Sequence, residues 1–149
     1  MKIYEAYELA IRTGMERDPR PRDEVQKVLD DAEEAYSKLP EDRRELFDKE
    51  RLWNPYTDCR FSVMAEEARE AEAERMMWGI DIGPAEVLLA DRLREKGETV
   101  SAVVAHHPLG TARTKFPEVM WMQTDMFHEA GVPINVAEGL MRGRMDDVL

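Results

Sequence analysis

Apolar residues recur at intervals of three and four positions through the first fifty residues, which predicts amphipathic helices. The first helix is predicted over residues 2–16, and its apolar face consists of Ile3, Tyr4, Tyr7, Ile11 and Met15. This helix should stop before Pro19 and Pro21, because proline lacks the backbone donor and its ring clashes with the preceding turn.

Two further helices are predicted before residue 52. Asp23 can cap the second helix, whose apolar stripe consists of Val25, Val28, Leu29, Ala32, Tyr36 and Leu39. Pro40 should open a shorter third helix that carries Leu46 and Phe47 inward. The three stripes predict a helical N-terminal layer over residues 1–52. We interpret it as a cover for the core, with a lid or an oligomer contact as the alternatives.

Two apolar runs further along the chain predict parallel strands. Residues 76–82 are dense in apolar side chains, and residues 100–105 form a small, near-continuous apolar run typical of a strand covered on both faces. The helix between them should begin at Pro84 and end at a left-handed Gly97, and its inward positions are Val87, Leu88 and Leu93. A strand, a helix and a second strand in this order predict a βαβ unit with a right-handed crossover.

The remaining segments are less regular. Residues 59–64 are predicted as a strand, and residues 66–74 as a short helix or a charged hairpin connection. Residues 111–115 are predicted as a polar loop, after which Pro117 should open a helix that ends near Ala130. A last helix is predicted over residues 134–149.

These elements predict an α/β fold with a mixed, mostly parallel sheet flanked by helices. The predicted division is a helical N-terminal layer at residues 1–52 and an α/β metal-binding-type domain at residues 53–149. One compact unit is the expected arrangement, with an N-terminal fragment of a longer protein as the alternative.

Composition narrows the classes of function. The formal net charge of −11 argues against general nucleic-acid binding and against an anionic membrane surface, since both require a cationic face. No apolar run approaches the ~20 residues of a membrane helix, and no signal-peptide pattern opens the chain. With Cys59 as its one cysteine, the chain forms no internal disulfide, which suits a reducing cytoplasm.

The candidate chemistry lies where the second parallel strand ends. His106 and His107 follow that strand, and Asp81 lies near the C-terminal end of the first, so all three should lie at one edge of the sheet. Neutral imidazole is the commonest ligand of transition metals in proteins, and adjacent side chains on an extended backbone should point to opposite sides. A solvated histidine pair and a helix-capping role for Asp81 are the alternatives. Arg113 and Lys115 could hold an anionic substrate near this edge, or be ordinary solvated charges.

Several segments that follow the N-terminal helices carry a resemblance to a known family: Trp53-Asn54-Pro55-Tyr56 with Asp58, Gly79-Ile80-Asp81-Ile82, Ala105-His106-His107-Pro108-Leu109, Met122-Gln123-Thr124-Asp125 and Gly131-Val132-Pro133-Ile134-Asn135-Val136-Ala137-Glu138. In order and spacing they resemble the Nif-three-like family, the GTP cyclohydrolase type-two homologues, from about Trp53 onward. The resemblance implies a dinuclear metal site on an α/β fold, a hydrolase-like activity and an oligomer. Only His106 and His107 match the ligand motifs of the family.

The resemblance also implies further ligands that this chain lacks, namely a later His and Asp and a His-x-x-x-Glu helix. Four residues after His128 stands Val132, so the expected site is incomplete within this chain. The working hypothesis is a hydrolase-like protein that binds zinc, manganese or iron through His106, His107 and Asp81. Its substrate class would be small phosphoesters or cyclic nucleotides, and a bound ion would lower the pKa of water to roughly 7. The alternative is a non-enzymatic, metal-stabilised scaffold or interaction module.

Overall fold

A computed structural model describes residues 1–63 and 65–147 of the chain. These residues form a mixed helix and strand structure in which helices predominate and the sheet is small. The helices are α1 (Ile3–Glu16), α2 (Arg22–Ser37), α3 (Glu41–Arg44), α4 (Glu66–Glu70), α5 (Pro84–Glu95), α6 (Thr111–Met120), α7 (Met122–Glu129) and α8 (Ile134–Asp146). The strands are β1 (Met76–Gly79) and β2 (Ala102–Ala105), and a short 3-10 helix spans Lys49–Leu52.

The described residues divide into two compact units. Of the described residues, the first unit contains 1–12 and 58–114 without residue 64, and the second contains 13–57 and 115–147. Among the described residues, no helix combines the length and the apolar character that crossing a membrane requires. The predicted division of the chain at residue 52 stays a prediction.

The first unit contains a two-stranded parallel sheet. β1 and β2 pair in parallel, with Trp78 opposite Val104 and Gly79 opposite Ala105. The helix α5 connects them, with Gly83 before it at the N-terminus and Pro84 in its first turn. Gly97 follows the helix at φ +87°, so the predicted parallel strands and left-handed cap are both confirmed.

The start of α1 also belongs to the first unit. Tyr4 and Tyr7 pack against Phe61, with ring centroids 5.3 and 5.7 Å apart. The guanidinium of Arg69 lies 4.6 Å from the centroid of the Tyr4 ring, a distance at which a cation is attracted to an aromatic face. The periodicity that predicted α1 is thus confirmed, with Ile3 buried near its start.

The core of the second unit is rich in methionine. Met120, Met141 and Met145 are buried together, and Phe116 packs against them. Unbranched thioether side chains adapt to irregular gaps between helices, which suits the junction of α6, α7 and α8. The predicted helix from residue 134 is confirmed through Asp146, and the predicted positions Val148 and Leu149 lie outside the described residues.

Several predicted boundaries are wrong. Residues 59–63 form no strand, and Met64, the last residue of that predicted strand, lies outside the described residues. Residues 111–115 are the first turns of α6 rather than a loop, and Pro117 lies inside that helix instead of opening it. Pro117 is the seventh residue of α6, where a proline removes one backbone hydrogen bond, and the helix continues past it to Met120.

Some side-chain directions are wrong as well. Asp23 lies in the first turn of α2 and does not cap it, because Pro21 occupies the cap position. Leu46 is 86% exposed, and Val87 and Leu88 are each 55% exposed, whereas the pattern predicted that they face inward. β2 is half-buried along its whole length, whereas the pattern predicted a strand covered on both faces.

Candidate functional site

The ends of β1 and β2 hold the backbone of the two histidines in place. The backbone N–H of His106 donates to the carbonyl of Gly79 at 2.8 Å, and that of His107 donates to the carbonyl of Ile80 at the same distance. Pairing between the two chain segments therefore continues past the last residue of each strand. As predicted from the βαβ pattern, Asp81 and the histidines lie at one edge of the sheet.

Asp81 and His107 are in direct contact at this edge. The Asp81 Oδ1 lies 2.8 Å from the His107 Nδ1. When Nδ1 carries the ring proton, it donates to the carboxylate and leaves the lone pair of Nε2 free to bind a metal or a proton. The His107 side chain is 48% exposed and that of Asp81 is 83% exposed, so both are open to a ligand.

His106 lies beside His107 rather than on the opposite side of the backbone. The centroids of the two rings are 5.2 Å apart, and the ring planes meet at 34°. The expected alternation of side chains is wrong here, because the chain bends at both histidines and no longer follows the extended geometry of a strand. The two imidazoles consequently present their nitrogens from neighbouring positions.

The donor set at this edge does not amount to a complete metal site. Within residues 1–63 and 65–147, no group of three or more His, Cys, Asp or Glu side chains is arranged to hold a metal ion. The Asp81 carboxylate is engaged with His107, which is the geometry of a residue that orients a ligand rather than one that binds the ion. The residues present fit one or two imidazole ligands, and they do not fit the full coordination of a dinuclear centre.

The two predicted cations differ in their surroundings. Lys115 donates from Nζ to Oε1 of Glu118 at 2.8 Å within α6. Arg113 is exposed on the same helix.

His128, which the sequence did not assign to the site, has its Nδ1 3.2 Å from the carbonyl oxygen of Val132. A carbonyl within hydrogen-bond reach of that ring indicates that His128 stabilises the end of α7.

Sequence reasoning missed a buried ionic cluster in the second unit. Asp18 is almost fully buried and accepts hydrogen bonds from the Arg20 side chain at 2.8 and 3.0 Å and from the Tyr56 hydroxyl at 2.8 Å. Burial raises the pKa of the Asp18 carboxyl, but the hydrogen bonds from Arg20 and Tyr56 outweigh it and leave that pKa below its usual value. The alternating segment Asp18-Pro19-Arg20-Pro21 was the available signal, although it says nothing of Tyr56.

Asp58 is a second perturbed carboxyl, in the first unit. Burial raises its pKa, and the hydrogen bond to its own backbone and the charge of Arg60 offset this only in part. Asp58 belongs to one of the segments that resemble the Nif-three-like family, yet it is not among the residues gathered at the histidine edge. It stays outside the candidate site.

Comparison of the chain with models of protein families, with curated proteins and with solved structures gave no match in any of the three. The resemblance to the Nif-three-like family therefore stays a prediction from the residues that carry it.

Proposed function

We propose that the edge formed by His106, His107 and Asp81 is part of a divalent-metal site, in a chain related to the N-terminal part of the Nif-three-like family. The observation that carries the proposal is the 2.8 Å contact between Asp81 Oδ1 and His107 Nδ1. A carboxylate that fixes the tautomer and orientation of an exposed imidazole is the common support of a metal-binding histidine. Zinc, manganese and iron all accept such a ligand.

The fold proposed for the complete unit is a mixed, mostly parallel sheet flanked by helices, of which β1 and β2 form one strand pair. Parallel sheets are generally covered on both faces, whereas β2 is only half-buried here. The remaining ligands would come from a second copy of the chain, in line with the homo-oligomer that the resemblance implies. The proposed activity is hydrolysis of a small phosphoester or cyclic nucleotide.

Metal binding is tested by isothermal titration of the tag-free, metal-stripped protein with zinc and with manganese. We expect the His106→Ala/His107→Ala variant to lose most of the heat of binding, because two imidazoles supply the nitrogen donors at this edge. Asp81→Asn should weaken binding about 10–100-fold, the usual effect of removing a residue that orients a ligand.

His128→Ala is the matched control, since it removes the other histidine of the chain and leaves the sheet edge intact. Its titration should match that of the unaltered protein. Equal heats for the unaltered protein and the double-histidine variant would contradict the proposed site.

A non-enzymatic scaffold is the second candidate function, and the exposure of the site favours it. Asp81 is 83% exposed and His107 is 48% exposed, whereas catalytic metal sites usually lie in dry, shaped cavities. A panel of phosphoesters and cyclic nucleotides, assayed with and without added metal, separates the two candidates. Turnover that disappears in the double-histidine variant supports the hydrolase, and metal binding without turnover supports the scaffold.

A further inference from the structure

A cleft in the second unit is formed by the end of α1 and the first turns of α2. Its lining consists of Met15, Glu16, Arg17, Arg22, Val25 and Gln26. Its volume is about 640 Å³, which falls within the roughly 300–1,000 Å³ of most small-molecule sites. All of these residues precede the segments that resemble the Nif-three-like family, and none belongs to the histidine edge. The proposed metal site therefore leaves this cleft without a role.

Two arginines at the cleft have no partner for their charge. Arg17 and Arg22 are exposed, and neither guanidinium forms an ion pair or a hydrogen bond within residues 1–63 and 65–147. Arg20, which lies between them in sequence, is by contrast paired with Asp18 at 2.8 Å. Acidic residues outnumber basic ones by 32 to 21 in the chain, so a shortage of carboxylates does not explain the unpaired charges. Two such guanidiniums at one cleft favour an anionic ligand.

The remaining lining residues restrict what kind of anion fits. Val25 is 4% exposed and Met15 is half-buried, so the cleft has an apolar floor. Two guanidiniums and the carboxylate of Glu16 give the described lining a net charge of +1, that is, two positive charges less one negative. The planar fork of a guanidinium matches the two oxygens of a carboxylate. A monocarboxylate with an apolar body complements the charge and the floor together.

The two walls of the cleft are held in place before any ligand arrives. The turn between α1 and α2 contains Asp18, which accepts hydrogen bonds from the backbone and side chain of Arg20 and from the hydroxyl of Tyr56. This buried cluster fixes the turn that joins the wall carrying Arg17 to the wall carrying Arg22. A site that is formed in advance avoids the cost of ordering its walls on binding.

We propose that this cleft is a binding site for a small monocarboxylate with an apolar body. Arg17 and Arg22 bind the carboxylate of the ligand, and its apolar body packs on Met15 and Val25. The site belongs to the second unit and goes beyond the proposed metal-binding function, on which it does not depend.

Isothermal titration with sodium hexanoate tests the site, in buffer that contains a metal chelator so that the histidine edge does not contribute. One molecule should bind per chain. Sodium acetate lacks the apolar body and hexan-1-ol lacks the charge, so each should bind at least about tenfold more weakly than hexanoate. Equal affinity for hexanoate and acetate, or the absence of saturable hexanoate binding, would overturn the proposal.

Substitution of the arginines tests which side chains bind the carboxylate. Arg17→Gln and Arg22→Gln should each weaken hexanoate binding about tenfold, because each removes a charge-assisted hydrogen bond. Arg43→Gln is the matched control, since Arg43 is also exposed, lies outside the cleft and changes the net charge equally. If Arg43→Gln weakens binding as much as Arg17→Gln does, the overall charge of the chain is responsible and the proposed site is wrong.

Filling the cleft tests the site without removing a charge. Gln26→Trp places a large side chain in the cleft and should weaken hexanoate binding at least about tenfold, while the urea midpoint of unfolding stays close to that of the unaltered protein. Lys27→Trp is the control, because Lys27 is the exposed neighbour of Gln26 on α2 and does not line the cleft. Equal hexanoate affinity of these two variants would place the ligand elsewhere. Since no metal is present, this result stands or falls separately from the metal titrations.

Discussion

The second unit contains a buried carboxylate, that of Asp18, which carries no assigned chemistry. Asp18 is 2% exposed, and its two oxygens accept three side-chain hydrogen bonds and one from the backbone of Arg20. Its partners tie the loop between α1 and α2 to the segment around Tyr56, where the Asn54 side chain accepts from the Tyr56 backbone at 2.8 Å. The cluster fixes the course of two chain segments that form no regular structure.

Asp18→Asn should lower the free energy of unfolding by about 1.5–3 kcal/mol at pH 7, because hydrogen bonds to a charged group are lost. The pKa of Asp18 is lowered in the folded protein, so its contribution is complete above pH ~4 and disappears as the pH falls through the folded value. Urea unfolding of both proteins at several pH values measures this. The difference between them should narrow below pH ~4.

Tyr56→Phe provides the control, since it removes one hydrogen bond and keeps the ring and the charge pair. It should lower the free energy of unfolding by only about 1 kcal/mol. A loss as large as that of Asp18→Asn would mean that the phenol, and not the ion pair, stabilises the cluster.

At the scale of elements, α5 is held by its ends more than by its apolar face. Ala90 is its one buried residue, whereas Val87, Leu88 and Leu89 are each more than half exposed. At its start the Glu86 side chain accepts from the Gly83 backbone at 2.8 Å. At its end Gly97 adopts φ +87°, a conformation that residues with a Cβ atom rarely adopt.

Gly97→Ala should therefore destabilise the protein by about 1–2 kcal/mol through backbone strain alone. A Cβ at this position meets no atom within 4 Å, so steric overlap does not contribute. Gly139→Ala is the matched control in the interior of α8, where a Cβ also meets nothing and the backbone is helical. That substitution should stabilise the protein by about 0.5–1 kcal/mol, and thermal unfolding measures both. Equal effects of the two substitutions on stability would contradict the assignment of the Gly97→Ala effect to backbone strain.

The sequence predicts the elements that depend on local patterns and fails where tertiary context decides. Three local signals are examples. The stripe of Ile3 and Ile11 predicts α1, which the structure confirms. The prolines before α2 and the glycine after α5 mark observed helix boundaries. The apolar residues Val87 and Leu88 fit the pattern of a buried stripe as well as the apolar residues of α1 do. Whether such a stripe is covered depends on neighbouring elements, which the local pattern does not specify. The common edge of Asp81 and His107 follows from the βαβ order, whereas their hydrogen bond does not.

At the scale of the whole molecule, net charge opposes the association of two copies of the chain that the proposed function requires. Each copy carries a formal net charge of −11, so two copies repel over distances set by the salt concentration. The Debye length falls from ~30 Å at 0.01 M salt to ~8 Å at 0.15 M, which screens the overall repulsion between two copies.

Dimerisation should consequently become tighter as sodium chloride is raised from about 0.01 to about 0.15 M, the two limits of that screening range. Sedimentation equilibrium at both concentrations measures the change. Tighter association at the lower salt concentration would mean that ion pairs between copies, rather than apolar contacts, supply most of the affinity.

The βαβ arrangement places both members of the exposed edge within one continuous stretch of chain. Asp81 and His107 are 26 positions apart, and the 12 residues of α5 lie in the connection between them. The entropy of closing such a loop grows only with the logarithm of its length, and contacts at short sequence separation lower the contact order. The edge should therefore form early during folding, and insertions in α7 or α8 should leave it intact. This stretch of chain should then keep its arrangement when it is transferred to another protein.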